Sequence, residues 1–325
     1  MRVWDGIGEV PPLEGSVVTI GMFAGMHRGH QAIIDETTAQ AHALGLPAIA
    51  VTFTPHPMTI HQPDRGIVPL STSAQRVASL AAAGVDAVLL IGYDLEFASN
   101  SPEQFVKTYL VDVLKARAIV IGEDSRFGAG NTGDTRTMRE LGQKLGFTTT
   151  IVEDLCDART GRRWSSTWVR EALADGDVAT AGHILGRSHS VRGEVVHGAK
   201  RGRELGYPTA NLQLEEIGVI PRDGVYAGWL LEGGRRHPAA ISVGTNPQFE
   251  GVHRTVEAHV LGRTDLDLYG QVVTVEFTRW IRPMRKFESV GALLDRIAED
   301  VVEAADMLGV PRPAPARPSE SEPLA

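Results

Sequence analysis

Cysteine is almost missing from this sequence. Cys156 stands alone among 325 residues, which excludes an internal disulfide and a cysteine-built zinc site and suits a reducing compartment. Positive charge is in deficit: 32 Lys and Arg face 40 Asp and Glu, for a net charge of −8. That balance disfavours non-specific binding to nucleic acid, so any anionic ligand must be met by local basic clusters. Long apolar runs are absent as well. Windows such as "AVLLIGY" fall far short of the ~20 residues needed to cross a bilayer, and the opening "MRVWDGIGEVPPLEG" has no apolar core of signal-peptide type. These absences predict a cytoplasmic protein with neither a membrane nor a nucleic-acid partner. What is present suffices for buried cores, with 42% hydrophobic and 22% charged residues, and the length suits two domains.

From about Val17 to Gly186 the pattern is strand then helix, repeated. "SVVTIGMF", "PAIAVTF", "VDAVLLIGY" and "ARAIVIGED" are short apolar strands. Between them "HQAIIDETTAQAHALG", "STSAQRVASLAAAG" and "SPEQFVKTYLVDVLK" have helical spacing. Such alternation predicts a Rossmann-like α/β domain over residues 1–186, a parallel sheet covered on both faces that binds ligands at the carboxyl ends of its strands. After Gly186 the texture becomes short alternating strands separated by turns, which predicts an antiparallel β-barrel over 187–310, closed by a terminal helix in "SVGALLDRIAEDVVEAADMLG". The Pro- and Ser-rich stretch 311–325 reads as a disordered tail.

Two constellations carry chemistry. In "VTIGMFAGMHRGHQ", His27 and His30 are three residues apart at a helix start, which places both rings on one face. Gly25 and Gly29 clear the backbone for a phosphate, and a helix N-terminus adds free N–H groups. Such a site can hold a triphosphate and stabilise the charge that builds on an α-phosphate under attack. In "SSTWVR", Ser166 and Thr167 can cap a helix and donate to phosphate, and Arg170, one turn on, can clamp a leaving pyrophosphate. Either motif alone reads equally well as a structural cap.

The second constellation is "GEVVHGAKRGRELGYPTANL", a basic glycine-rich loop with Gly198, Lys200 and Gly202 that can wrap phosphates. Thr209 and Asn211 alternate along an extended segment, so their oxygens face one side and can hold Mg²⁺. In "TVEAHVL", Val256, Ala258 and Val260 face the core and Glu257 the other way. Beside a phosphate site, Glu257 can accept a hydroxyl proton. Taken alone, it is as well an ordinary solvent-facing strand residue.

The motifs "TPHP", "GEDSRFGAGNTGD" and "SSTWVREAL", followed by "RGRELGYPTAN", "GVYA", "SVGTNP", "TVEAHVL", "DLYG" and "RKFES", resemble the prokaryotic bifunctional riboflavin kinase/FAD synthetase family. The resemblance implies an N-terminal adenylyltransferase that binds ATP through Gly21, Phe23, His27, His30, Ser166, Thr167 and Arg170. It places FMN near His56, Asp124 and Arg126. In the C-terminal kinase it implies ATP at Gly198, Lys200, Gly202, Thr209 and Asn211, Mg²⁺ on the last two, Glu257 as the base and Arg285 near the flavin. The small-molecule substrates would then be riboflavin, FMN and ATP.

Three positions depart from the family's pattern. Ala24 and Thr54 stand where carboxylates are usual, and Ser125 where an aromatic is usual. Two functions remain open on that ground: both reactions, or the kinase alone with the N-terminal domain inactive or repurposed. Two other classes fit less well. An aminoacyl-tRNA synthetase relative conflicts with the acidic balance and the lack of an anticodon-binding domain, and a non-enzymatic flavin module conflicts with the kinase motifs.

Overall fold

The structure, a computed structural model, describes residues 1–66, 68–197, 206–213, 218–245 and 254–314. Gly198, Lys200 and Gly202 and nearly all of the predicted tail lie outside the described residues. The chain falls into two compact units that part between Ser166 and Thr167.

The first unit is built on a six-stranded parallel sheet. Its strands are β1 (Arg2–Asp5), β2 (Ser16–Ile20), β3 (Ala48–Thr54), β4 (Ala87–Gly92), β5 (Ala116–Gly122) and β6 (Thr148–Val152), in the spatial order β1-β4-β3-β2-β5-β6. The central strands are apolar throughout because both faces are covered. Val18, Ile49, Val51 and Leu89 pack on one side with Phe105, Leu110 and Met138. Ala50 and Val88, one residue out of step, pack on the other with Phe23, Ile34 and Leu80. Helix α1 (Arg28–Leu44) ends at Gly45, whose φ of 63° suits a residue without a side chain. Helix α2 (Pro57–His61) follows β3, and α3 (Ser73–Ala82) opens on a reciprocal Thr72–Gln75 capping box.

Two elements differ from the sequence reading. The helix expected through Lys115 starts as α5 (Pro102–Phe105), after a short α4 (Leu95–Ala98), and continues as a π-helix over Val106–Val113. Helix α6 (Thr135–Leu145) and β6, which the loop motif before them masks in the sequence, extend the sheet beyond β5. The chain winds from β2 toward β1 on one side and through β5 and β6 on the other. The order therefore reverses between β2 and β5, and that reversal opens a crevice at their carboxyl ends.

In the second unit, α7 (Ser166–Asp175, from Thr167 on) and α8 (Val178–Leu185) precede a closed barrel of six strands. These are β7 (His189–Val196), β8 (Ala210–Leu212), β9 (Gly224–Glu232), β10 (Arg235–Thr245), β11 (Arg254–Val260) and β12 (Val272–Pro283), ordered β10-β11-β8-β7-β12-β9. Neighbouring strands are antiparallel, as the alternation predicts. Strands β9 and β12 come so close at Gly228 that a Cβ there would stand 2.0 Å from the Glu276 carbonyl oxygen. Helix α9 (Val290–Leu308) lays Val301, Ala304 and Ala305 on the barrel against Ala227 and Leu261. A buried ionic knot secures it. Asp300, 4% exposed, receives Arg282 Nε at 2.8 Å and Nη2 at 2.7 Å, and Arg296 Nη2 at 2.9 Å.

Two outcomes follow for the second unit. Asp300→Ala would strand the Arg282 guanidinium, while Arg296 keeps Glu299 and Glu303, and urea unfolding followed by tryptophan fluorescence should show a loss of ~3–5 kcal/mol. His189 is buried with Nε2 2.8 Å from the Val219 carbonyl, and burial pulls its pKa from 6.5 down to about 4. Between those values the unfolded chain takes up a proton that the folded ring refuses. Stability should therefore fall as pH drops from 6.5 toward 4, by ~1.4 kcal/mol per pH unit for this group. Unfolding curves across that range should show the slope, and His189→Gln should make it shallower.

Candidate active sites

Strand β2 ends at Ile20, and the chain turns through Gly21–His27 into α1. The turn is tight. Phe23 and Met26 hold positive φ of 46° and 49°, at about 1–3 kcal/mol each, and Gly25 has φ 74°. The Gly25 N–H donates to Ser71 Oγ at 3.4 Å, and the Ala24 carbonyl accepts from Ser166 Oγ at 3.2 Å. Position 24 thus contributes its backbone to the turn, and its methyl is buried.

The sequence places both histidines on one helical face, but His27 is not in the helix. It is the N-cap of α1, in extended conformation, and its Nδ1 accepts the His30 N–H at 3.4 Å. The proton of neutral His27 therefore sits on Nε2. The two rings stack, with centroids 3.7 Å apart and planes at 23°. Gly29 leaves room for this: a Cβ there would lie 3.1 Å from His27 Nδ1, so its bare position is filled by the imidazole and not left open for a phosphate. Burial lowers the His27 pKa to about 4, against the opposing field of Asp124 and with a smaller push from Arg163. His30 is held well below 6.5 by burial and then by His27. Its Nδ1 is sealed without a hydrogen-bond partner, while the residue lines the adjoining cavity. Both rings are neutral at pH 7.

The cavity, of about 360 Å³, lies at the β2/β5 crevice. Ile20 and Gly21 from the β2 end, Ile121 from the β5 end, His30, His56, Asp124 and Arg126 line it. The structure thus brings together six residues that the sequence singles out: Gly21, Phe23, His30, His56, Asp124 and Arg126. His56 caps α2, its Nδ1 accepting the Met58 N–H at 3.2 Å. Asp124 pairs with Arg163 at 2.8 Å, and the same guanidinium holds Asp154 at 2.7 Å. Ser125 also lines the cavity. Thr54 has its hydroxyl 3.3 Å from Ser73 Oγ.

The aromatic wall escaped the sequence reading. Phe53, Tyr93, Phe97 and Phe105 line the cavity, with centroid spacings such as 5.6 Å for Phe53–Phe97 and 5.5 Å for Tyr93–Phe97. Tyr93 Oη and His61 Nε2 share a hydrogen bond of 2.7 Å at its edge. Phe53 stands at the end of β3, whereas Tyr93, Phe97 and Phe105 all come from the one connection between β4 and β5. Ser166 reaches the turn through the Ala24 carbonyl. Thr167, exposed, and Arg170, half-buried, follow it on α7 within the second unit.

In the barrel, β11 pairs Glu257 with Asn211 of β8 on one side and with Ser242 of β10 on the other. Val256, Ala258 and Val260 point into the core, as the alternation predicts. His259 shares the Glu257 face but is buried too, its Nδ1 2.9 Å from the Pro208 carbonyl. Thr209 Oγ1 donates to Glu257 Oε2 at 3.5 Å, and Asn211 Nδ2 donates to Thr209 Oγ1 at 3.2 Å. Burial raises the Glu257 pKa, and the Thr209 bond pulls the other way. The Asn211 amide turns its NH₂ toward Thr209, which leaves its carbonyl oxygen as a hard donor beside a carboxylate and a hydroxyl. Arg285 stands apart, exposed beyond β12, its guanidinium 4.8 Å from the Phe287 ring centre.

Comparison with known proteins matches both halves. The FAD synthetase family model covers residues 10–168, and the riboflavin kinase model covers 185–308. A protein of Escherichia coli K12 described as bifunctional riboflavin kinase/FMN adenylyltransferase is 36% identical over 97% of this chain and 100% of its own length. One of the same description from Bacillus subtilis is 32% identical over 89% of this chain and 91% of its own. A solved structure from Streptococcus pneumoniae, described as a macrolide-efflux protein, is 32% identical with a TM-score of 0.83, covering 92% of this chain and 96% of that one. Among the described residues here, no helix is long and apolar enough to cross a membrane. The chain belongs to the bifunctional riboflavin kinase/FMN adenylyltransferase family.

Proposed function

We propose that the chain phosphorylates riboflavin to FMN in the barrel and adenylylates FMN to FAD in the parallel-sheet unit, with ATP as co-substrate of both steps. The observation that carries this reading is the near-full-length family match, and a cluster of polar side chains in each unit supports it. In the barrel, Glu257 takes the proton of the terminal ribityl hydroxyl as that oxygen attacks the γ-phosphorus and ADP departs. Burial suits it to the task, because a raised pKa makes a stronger base. Thr209 and Asn211 supply the oxygen donors that fit Mg²⁺, which when bound would neutralise charge on the triphosphate. Gly198, Lys200, Gly202 and Arg285 are assigned to ATP and flavin from the family motif.

In the first unit, a phosphate oxygen of FMN attacks the α-phosphorus of ATP, and the bond to the bridging oxygen breaks to release pyrophosphate. His27 and His30 act as neutral hydrogen-bond donors to the oxygens that gain charge. The aromatic wall of Phe53, Tyr93, Phe97 and Phe105 offers an apolar face to a planar ring system, with His56, Asp124 and Arg126 at its edge. Ser166, Thr167 and Arg170 are assigned to the nucleotide phosphates. Ala24, Thr54 and Ser125 leave the turn and the cavity formed, which favours two activities over the kinase alone.

Two experiments check the assignments. Purified protein with ATP and Mg²⁺ should yield FMN and then FAD from riboflavin, and FAD from FMN. FMN without FAD in both tubes would establish the kinase-only reading. Glu257→Gln should cut riboflavin phosphorylation by ~10²–10⁴-fold and spare FAD formation from FMN, whereas His30→Ala should do the reverse. Loss of both steps in either variant would break the division of labour.

A further inference from the structure

Arg76, on α3, is 3% exposed, and among the described residues no carboxylate pairs with it. Its Nε is sealed without a hydrogen-bond partner. A buried guanidinium in that state is costly, and an apolar side chain of the same length would remove the cost. What the guanidinium does reach is the end of β3. Its Nη2 donates to the Phe53 carbonyl at 2.7 Å and to Ser73 Oγ at 3.4 Å, and Ser73 Oγ lies 3.3 Å from the Thr54 hydroxyl.

Register explains why that carbonyl needs a partner. Strand β2 stops early: Ile20 pairs with Val51, and the Gly21 N–H closes on the Val51 carbonyl at 3.1 Å. Two residues on, the Phe53 carbonyl points the same way, toward a strand that has already turned off. On the other side β3 stays paired with β4 to Thr54, and the Tyr93 N–H reaches the Thr54 carbonyl at 2.8 Å. Arg76 supplies the missing donor. The same helix start also reaches the nucleotide turn, since Ser71 accepts the Gly25 N–H.

We propose that Arg76 is a positioning residue of the adenylyl-transfer site, standing in for the absent end of β2 and so fixing Phe53 and the Thr54–Pro57 turn that carries His56. It touches neither substrate and works through those two residues, which line the cavity. The proposal rests on reading this unit as an FMN adenylyltransferase, and it specifies that FMN binding, not ATP binding, depends on Arg76.

The test uses the full-length chain with Arg76→Met, which keeps the volume and removes the donor, and Arg76→Lys, which restores a charged donor. Arg76→Met should raise KM for FMN at least ~10-fold in the adenylyl step. KM for ATP should stay within about twofold, and riboflavin phosphorylation by the other unit should be unchanged. Its melting temperature should change little, because loss of the desolvated charge offsets the Phe53 carbonyl left without a donor. Arg76→Lys should recover most of the FMN affinity. Amide hydrogen exchange of the peptide spanning residues 53–58 should quicken in Arg76→Met and return in Arg76→Lys. An unchanged KM for FMN, or kcat and both KM values worsening together with a lower melting temperature, would overturn the proposal. If the wild-type chain makes no FAD, the functional reading fails by itself. The exchange rates then still decide whether Arg76 fixes the end of β3: quicker exchange in Arg76→Met upholds that, and equal exchange refutes it.

Discussion

Desolvation is the constraint on which both sites depend. At the end of β2 it drives the His27 and His30 rings below their ordinary pKa, and only neutral rings can stack at 3.7 Å without mutual repulsion. In the barrel the same effect acts on an acid and moves Glu257 upward. One physical cause thus yields donors in one unit and a base in the other. The fold supplies it cheaply, because a covered parallel sheet and a closed barrel both keep their side chains away from water.

Pairing register then decides which groups meet. Glu257, Asn211 and Ser242 lie abreast because β11 runs between β8 and β10. In the parallel sheet the unequal lengths of β2 and β3 open the crevice and leave a carbonyl for Arg76 to hold. The crevice is therefore a product of strands that stop at different heights, at the place where the winding reverses.

Much of this was legible in the residues. Continuous apolar strands between helices announced the parallel sheet, and alternation announced the barrel, because side-chain period reports which faces are covered. The position of Glu257 opposite the core-facing Val256 and Ala258 followed from that period alone. The conformation of His27 did not, since the helix boundary fell one residue later than the spacing suggests and turned a helical ligand into a cap. The aromatic wall was also hidden. Strand order alone brings Phe53 of β3 to Tyr93, Phe97 and Phe105, which share the connection after β4. Arg76 lies in a run that shows only helical spacing, and what sets it apart is that among the described residues no carboxylate pairs with it.

The cap made by His27 has a consequence for proton traffic. With Nδ1 committed to the His30 N–H, the free edge of the ring can give a hydrogen bond and cannot receive a proton from a nucleophile. If His27 faces the adenylyl step as proposed, it takes no proton there, which suits a nucleophile that arrives already ionised. A phosphate monoester meets that demand unaided above its second pKa of about 6. An alcohol does not, and in the barrel Glu257 stands beside Thr209 and Asn211 to take its proton.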